Sequence, residues 1–182
     1  MGKFSDVLLT VDYDRTLTAP DSSIPERNLE AIRYFMENDG AFTVNTGRSV
    51  PMIQVFRDRV PVNAPLLLYN GSAAYDLAAE KLLFCHEIRL DLWQTVRECM
   101  TLFPDLTVEV QGLDAHYRFT ENSAWDAFSD HNQCAHGLAS PGDDLGPFLK
   151  FTLYGEFRDV TVASMFDAVS YTHLTLPTTS RV

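Results

Sequence analysis

The hydrophobic residues in the first part of the chain form two patterns, short unbroken runs and helical repeats. An unbroken apolar run predicts a strand buried on both faces, whereas apolar residues three and four positions apart predict an amphipathic helix. Such a run predicts a first strand at residues 7–11, and two further strands are predicted at residues 41–46 and 65–70. Helical spacing predicts two helices between them, one from Pro25 to Gly40 and a shorter one after Ser49. This alternation indicates the α/β class, with a Rossmann-like, doubly wound parallel sheet.

The pattern changes after residue 76, where shorter strands mix with helices. Strands are predicted at residues 81–88, 106–110, 115–119 and 148–154, and helices at residues 91–103, 121–132 and from 160 onward. The two middle strands form a hairpin around Gly112, and the second helix directs Trp125 and Phe128 inward. We therefore predict an incomplete parallel sheet at residues 1–76, followed by an inserted, incomplete α+β cap domain at residues 77–168.

The last segment, residues 169–182, does not continue this fold. Its sequence resembles the translation of a transposase-type sequencing adapter. We expect it to be non-native and joined where the gene was cut inside the cap, and we exclude it from the fold. The first strand would then lie at an open sheet edge, which favours aggregation.

The charge of the chain narrows the choice of partners. It carries 25 acidic and 14 basic residues, a net charge of −11, which disfavours nucleic acid and anionic membrane surfaces as partners. No segment is apolar for long enough to cross a bilayer. Cys85, Cys99 and Cys134 have no metal-binding or redox spacing, so we expect reduced thiols and a cytoplasmic location. Small phosphorylated metabolites stay compatible with this charge, because local donors hold such ligands.

Polar turn residues follow each of the three predicted parallel strands. They are Asp12-Tyr13-Asp14, Asn45-Thr46-Gly47-Arg48 and Asn70-Gly71-Ser72. Each motif alone is weak evidence, since acid pairs and Asn-Gly turns are common. The carboxyl ends of parallel strands meet at one edge of a sheet, however, and ligands bind there. We therefore predict a site at this edge, with Asn70 and Gly71 lining its rim and contacting the substrate.

The two carboxylates of the first motif indicate phosphate chemistry with a divalent metal. Asp12 and Asp14 are two residues apart, so on an extended strand they lie on the same side and repel each other unless a cation lies between them. Mg²⁺ suits this position because it prefers hard oxygen ligands. Asp12 would attack phosphorus, and Asp14 would protonate the leaving oxygen and later activate water. Thr46 would hold a phosphoryl oxygen, Gly47 would allow close backbone approach, and Arg48 would donate to the phosphate.

The three motifs resemble those of the haloacid dehalogenase-like hydrolases. Asp12-Tyr13-Asp14-Arg15-Thr16-Leu17-Thr18 is similar to the first motif of that family, and Asn45-Thr46-Gly47-Arg48 is similar to the second. Asn70-Gly71-Ser72-Ala73 resembles the motif after the third strand in the Cof-type subclass, class IIB, which carries a C2-type cap at this point. The resemblance spans residues 4–168. It implies a phosphatase that forms an aspartyl-phosphate on Asp12 and binds Mg²⁺ through the Asp12 carboxylate and the Asp14 backbone carbonyl.

The chain also departs from this family. Arg15 stands where the family usually has glycine. The third motif of the family, a lysine, and its fourth, an acidic loop that completes the magnesium shell, have no counterpart after Phe157. Lys150 lies in an apolar strand and is interpreted as a cap residue. We therefore expect this chain to lack phosphatase activity, and the product of the uninterrupted gene to be active.

Other interpretations of the same residues stay open. A receiver-like phosphoacceptor domain shares the chemistry, but it carries its acceptor on a later strand and has no inserted cap. A phosphate-binding protein without turnover would use the same strand ends. His131, Cys134 and His136 lie close in sequence, although their spacing matches no common zinc pattern. Sugar phosphates and flavin- or pyridoxal-type phosphates both fit as substrates.

Overall fold

Nine strands form two sheets in the part of the chain that the structure, a computed structural model, describes: residues 2–55 and 57–154. The first sheet has the order β1 (Leu8–Asp12), β2 (Ala41–Asn45), β3 (Leu66–Leu68), β4 (Ala73–Asp76) and β5 (Lys81–Cys85). The second has the order β8 (His136–Leu138), β7 (His116–Arg118), β6 (Thr107–Gly112) and β9 (Phe148–Tyr154). The α-helices are α1 (Glu26–Glu37), α2 (Leu92–Leu102) and α3 (Ser123–His131). None of these described helices combines the length and apolar character that a membrane crossing requires.

The first three strands are parallel, which confirms the predicted α/β class. β1 pairs with β2, and β2 pairs with β3, in the parallel orientation. α1 begins directly after Pro25, as predicted, and contributes Ile32 to the core on this sheet. β2 contributes Phe42, which is fully buried. A single 3₁₀ turn, Pro51–Val55, takes the place of the predicted second helix.

The first sheet extends further along the chain than the sequence predicted. β4 and β5 form an antiparallel hairpin beyond β3, although residues 81–88 were assigned to the cap. The Asp76 side chain explains this reversal, because it accepts the backbone N–H groups of Ala78 and Ala79, both at 3.0 Å, and closes the turn. The boundary between domains at residue 76 therefore stays a prediction, and the pairing of β5 favours a later one.

β1 lies at the edge of the first sheet, with β2 on one side and no described strand on the other. This position agrees with the predicted open edge. The prediction that the run is buried on both faces is wrong, however: Leu8 is 60% exposed and Leu9 is 40% exposed. Successive side chains project from opposite faces of a sheet, so little of the described chain covers either face of β1, and an exposed apolar edge is a template for pairing with other chains.

Replacing Leu8 with Lys is expected to reduce aggregation while changing the free energy of unfolding by less than about 0.5 kcal/mol. A charge on an edge strand opposes edge-to-edge pairing, and Leu8 has little buried surface to lose. Light scattering against concentration and urea unfolding measure the two effects. Leu66→Lys on β3 is the matched control, because Leu66 is fully buried and its replacement should unfold the chain. Unchanged light scattering of Leu8→Lys would contradict the assignment of β1 as the exposed edge through which chains associate.

The second sheet and its helices lie in the segment that the sequence predicts to be a cap, and we refer to them by that name. α2 begins after Asp91, whose side chain accepts the Gln94 N–H at 2.9 Å. Its apolar face meets one face of the sheet, where Val96 and Cys99 form a buried cluster with Val108 of β6. The predicted hairpin around Gly112 is confirmed by the antiparallel pairing of β6 with β7. β8, which pairs parallel to β7, was not predicted from the sequence.

α3 confirms one predicted inward side chain and contradicts the other. Trp125 is fully buried, but Phe128 is 42% exposed. The buried face of the helix runs along Trp125, Ser129 and Asn132, so Phe128 lies to the side of it. The helix predicted from residue 160 and the adapter-like residues 169–182 lie outside the described residues.

Candidate active site

The predicted motifs meet at one edge of the first sheet. The parallel register pairs Asp12 of β1 with Asn45 of β2, and Asn45 in turn with Leu67 of β3. Backbone hydrogen bonds also join the loop after β2 to the end of β3. Thr46 donates its N–H to the Leu67 carbonyl at 2.9 Å, and the Thr46 carbonyl accepts the Asn70 N–H at 3.1 Å. The structure therefore brings the strand ends into one row, as the sequence predicted.

The first motif turns tightly after β1. The buried Tyr13 anchors the turn, and its carbonyl accepts the Thr18 N–H at 3.0 Å. The Thr18 hydroxyl donates to the same carbonyl and accepts the Arg15 N–H at 3.0 Å. Asp12 is exposed, and its Oδ2 accepts the Thr16 hydroxyl at 3.2 Å. This turn presents the Asp12 carboxylate to solvent at the end of β1.

Arg15 adopts the left-handed conformation, with φ of 60°. That conformation suits glycine and costs other residues about 1–2 kcal/mol, so the turn would accept the glycine that the resemblance leads us to expect at this position. Replacing Arg15 with Gly is expected to raise the free energy of unfolding by about 0.5–1 kcal/mol, measured by urea unfolding. Arg33→Gly inside α1 is the control and should lower it by about 1 kcal/mol. A loss of stability for Arg15→Gly would contradict the strained turn.

Arg48 joins the first two motifs. Its Nε and Nη2 donate to the two Asp14 carboxylate oxygens at 3.0 and 2.9 Å. Its Nη1 donates to Asn132 Oδ1 of the cap at 2.7 Å, and the guanidinium lies 5.1 Å from the centre of the Tyr13 ring. The sequence predicted a bidentate donor to phosphate at this position. The structure gives that bidentate contact to Asp14 instead, because the carboxylate is the anion within reach.

Thr46 and Gly47 lie between the strand ends and the cap. Thr46 is buried, and its hydroxyl accepts the Arg48 N–H at 3.2 Å. A Cβ placed on Gly47 would lie 2.7 Å from Asn70 Oδ1, so only glycine allows the Asn70 amide this close. Asn70 itself has φ of 58°, which ends β3 earlier than predicted. Gly71 is exposed at the rim, with φ of 93°.

Sequence reasoning missed several cap residues that reach this edge. Lys150 lies in β9, and its Nζ donates to the Gly47 carbonyl at 3.0 Å. Burial lowers the pKa of Lys150, and the negative charge of Glu109 partly opposes that effect. His116 of β7 lies 2.7 Å from the Ser49 hydroxyl. A lysine inside an apolar strand was the one visible signal in the sequence, and it does not reveal what the side chain contacts.

The donors at this edge suit Mg²⁺. Arg48 holds the Asp14 side chain, so the exposed Asp12 carboxylate, whose Oδ2 accepts the Thr16 hydroxyl, is the acidic donor left at this edge, and the resemblance adds the Asp14 backbone carbonyl. Mg²⁺ binds through one or two carboxylates and keeps several waters, so this donor set fits the ion. In the described part of the chain, no group of three His, Cys, Asp or Glu side chains could hold a metal. His136, one residue of the alternative metal cluster, instead lies 2.9 Å from the Asp130 carboxylate.

Comparisons with known proteins match the chain to one family of hydrolases. A family model described as haloacid dehalogenase-like hydrolase matches residues 9–143. A comparison with curated proteins gives no match. A haloacid dehalogenase-like hydrolase from Bacillus subtilis is 14% identical with a TM-score of 0.66, and the alignment covers 83% of this chain and 62% of that one.

Two further solved structures are similar to this chain. A haloacid dehalogenase-like hydrolase from Bacteroides thetaiotaomicron is 17% identical with a TM-score of 0.62, covering 78% of this chain and 55% of that one. A subclass IIB sugar phosphatase is 16% identical with a TM-score of 0.58, covering 74% and 52%. The chain therefore spans 52–62% of the length of these three structures. The match of the family model over most of the sequence shows that the chain belongs to the haloacid dehalogenase-like hydrolases.

Proposed function

We propose that the protein is a magnesium-dependent phosphatase that hydrolyses small phosphorylated metabolites through an aspartyl-phosphate on Asp12. One observation carries the proposal: Asp12, Thr46 and the ion pair of Asp14 with Arg48 meet where the parallel strands end. A similar structure is described as a subclass IIB sugar phosphatase, which favours that subclass and sugar phosphates as substrates. Because the chain spans 52–62% of the similar structures, the activity is proposed for the whole protein.

Asp12 is the nucleophile in this scheme. Its carboxylate oxygen forms a bond to phosphorus while the bond from phosphorus to the leaving oxygen breaks. Asp14 gives a proton to the leaving oxygen, so that an alcohol departs. Water then attacks phosphorus, Asp14 takes its proton, and inorganic phosphate leaves with the Asp12 carboxylate restored. Mg²⁺, held by the Asp12 carboxylate and the Asp14 carbonyl, neutralises charge on the phosphoryl oxygens when bound.

Arg48 is the side chain that has to move in this scheme. Its two bonds to Asp14 occupy both carboxylate oxygens, and a carboxylate held in this way cannot give a proton to the leaving group. Phosphate offers a guanidinium the same paired acceptors as a carboxylate. The substrate phosphate therefore replaces Asp14 as the partner of Arg48, and this exchange frees Asp14 for proton transfer.

A phosphate-binding module without turnover is the second candidate. The observation that favours it is the same ion pair, since an Asp14 that stays bound to Arg48 could not act as the acid that protonates the leaving oxygen. For either candidate we place the protein in the cytoplasm, because Cys85, Cys99 and Cys134 are free thiols. We propose neither nucleic acid nor membrane as a partner, given the net charge of −11.

Removal of magnesium tests the proposed function. The whole protein should hydrolyse p-nitrophenyl phosphate and sugar phosphates in MgCl₂, and EDTA should lower kcat by about 100-fold or more. Charge neutralisation by a metal supplies several kcal/mol in phosphoryl transfer, which is the reason for this size of effect. Added MgCl₂ should restore the rate. Turnover that persists in EDTA would contradict the metal role, and binding of phosphate without turnover would support the second candidate.

A further inference from the structure

Cap side chains contact three consecutive residues of the loop that follows β2, and Tyr69, which follows β3, links a fourth residue to the cap. We call residues 46–50 the phosphate loop. The cap residues come from three separate elements: Lys150 lies in β9, His116 lies in β7, and Asn132 follows α3. The four contacts are Lys150 to the Gly47 carbonyl, Asn132 to the Arg48 guanidinium, His116 to the Ser49 hydroxyl, and Tyr69, whose hydroxyl accepts the Val50 N–H and donates to the Gly112 carbonyl. The conformation of this loop therefore depends on cap side chains as well as on the core sheet.

The contact made by His116 is the most buried of the four. His116 Nε2 lies 2.7 Å from Ser49 Oγ, and Nδ1 lies 3.0 Å from Glu109 Oε1 on the neighbouring strand β6. The exposed fractions are 0% for Ser49, 1% for His116 and 3% for Glu109. Both ring nitrogens thus face polar partners, one in the core loop and one in the cap sheet. Because Ser49 is fully buried, this arrangement does not offer a nucleophile to a substrate.

Charged groups around the ring keep Glu109 ionised. Burial of Glu109 acts to raise its pKa, but the nearby His116, Gln111 and Lys150 lower the pKa overall. Glu109 Oε1 and His116 Nδ1 lie at ion-pair distance without hydrogen-bond geometry, so the carboxylate acts on the ring through its charge. Glu109 therefore sets the orientation of the ring, and the ring presents Nε2 to Ser49.

We propose that His116 is a positioning residue for the phosphate loop, acting through Ser49, with Glu109 orienting its ring. The proposal rests on the proposed function, since it assumes that residues 46–48 bind phosphate. Ser49 directly follows Arg48, and the Arg48 carbonyl accepts the Tyr69 N–H at 3.0 Å. A fixed Ser49 therefore limits how the Thr46 hydroxyl and the Arg48 backbone can turn towards a bound phosphate.

Two substitutions of His116 separate a positioning role from a general structural one. Glutamine can place its amide at the position of Nε2 and keep the contact with Ser49, whereas asparagine reaches only the position of Nδ1. Hydrogen exchange of the Arg48 and Val50 amides in the full chain measures the order of the loop. His116→Asn should speed this exchange about tenfold, as expected for one lost buried hydrogen bond, and His116→Gln should stay within about threefold of the wild type.

The control is His136→Asn, which removes another cap histidine that contacts carboxylates and not the phosphate loop. Hydrogen exchange of the Arg48 and Val50 amides in this variant should match that of the wild type. Equal acceleration by His116→Gln and His116→Asn would overturn the proposal, and so would no acceleration by either. Calorimetry with inorganic phosphate and MgCl₂ tests the proposed function separately. A wild type that binds no phosphate would contradict that function, while the exchange data would still decide the role of His116.

Discussion

Replacing Asp12 with Asn is expected to abolish hydrolysis in the whole protein, with a fall in kcat on the order of 10⁴-fold or more. An amide of the same shape cannot attack phosphorus, so no aspartyl-phosphate forms. Inorganic phosphate should still bind, because Thr46 and Arg48 are unchanged and the turn after β1 is anchored by Tyr13. Steady-state kinetics measure the first effect, and calorimetry measures the second.

Asp21→Asn is the matched control for this substitution. Asp21 is another exposed acid of the same region, and its carboxylate accepts the Ser23 N–H and hydroxyl at 3.0 and 2.6 Å, which lowers its pKa. It lies outside the proposed site, so its loss should leave kcat within about twofold. Residual hydrolysis by Asp12→Asn near the wild-type rate would show that another group is the nucleophile. Loss of phosphate binding together with hydrolysis would show that Asp12 shapes the site rather than reacts in it.

The parts of the fold that could be predicted depend on local patterns. The run before Asp12 is apolar except for Thr10, and it forms β1. α1 begins after Pro25 because proline suits the start of a helix. The strand ends meet because the connections between parallel strands place their carboxyl ends at one edge. In each case a neighbouring residue decides the structure, so the sequence is sufficient.

The parts that could not be predicted depend on contacts between distant segments. Arg48 was expected to face phosphate, but its choice of Asp14 and Asn132 depends on the distance between two loops and the cap. His116 and Lys150 look like ordinary strand residues, and their reach to the phosphate loop depends on how the cap sheet lies against β2. The exposure of Leu8 depends on which segments pack over the faces of β1, and not on its own hydrophobicity.

Replacing Phe42 with Ala is expected to lower the free energy of unfolding by about 3–5 kcal/mol. Phe42 is fully buried in the core of the first sheet, and its strand β2 lies between β1 and β3. Its backbone is also held, since its N–H donates to Asn63 Oδ1 at 2.6 Å. Truncation removes the transfer free energy of the ring and leaves a cavity that the surrounding strands fill incompletely. Urea unfolding followed by circular dichroism measures the loss.

Phe84→Ala on β5 is the matched control, because it deletes the same ring from the same sheet at a position that is 45% exposed. This substitution should lower the free energy of unfolding by about 1 kcal/mol or less. Equal costs at the two positions would contradict the assignment of Phe42 to the core. The expected difference matters for the site, because a domain is stable by only about 5–15 kcal/mol and β2 carries Asn45 directly before Thr46. Loss of packing below β2 would therefore release the phosphate loop even though no residue of that loop had changed.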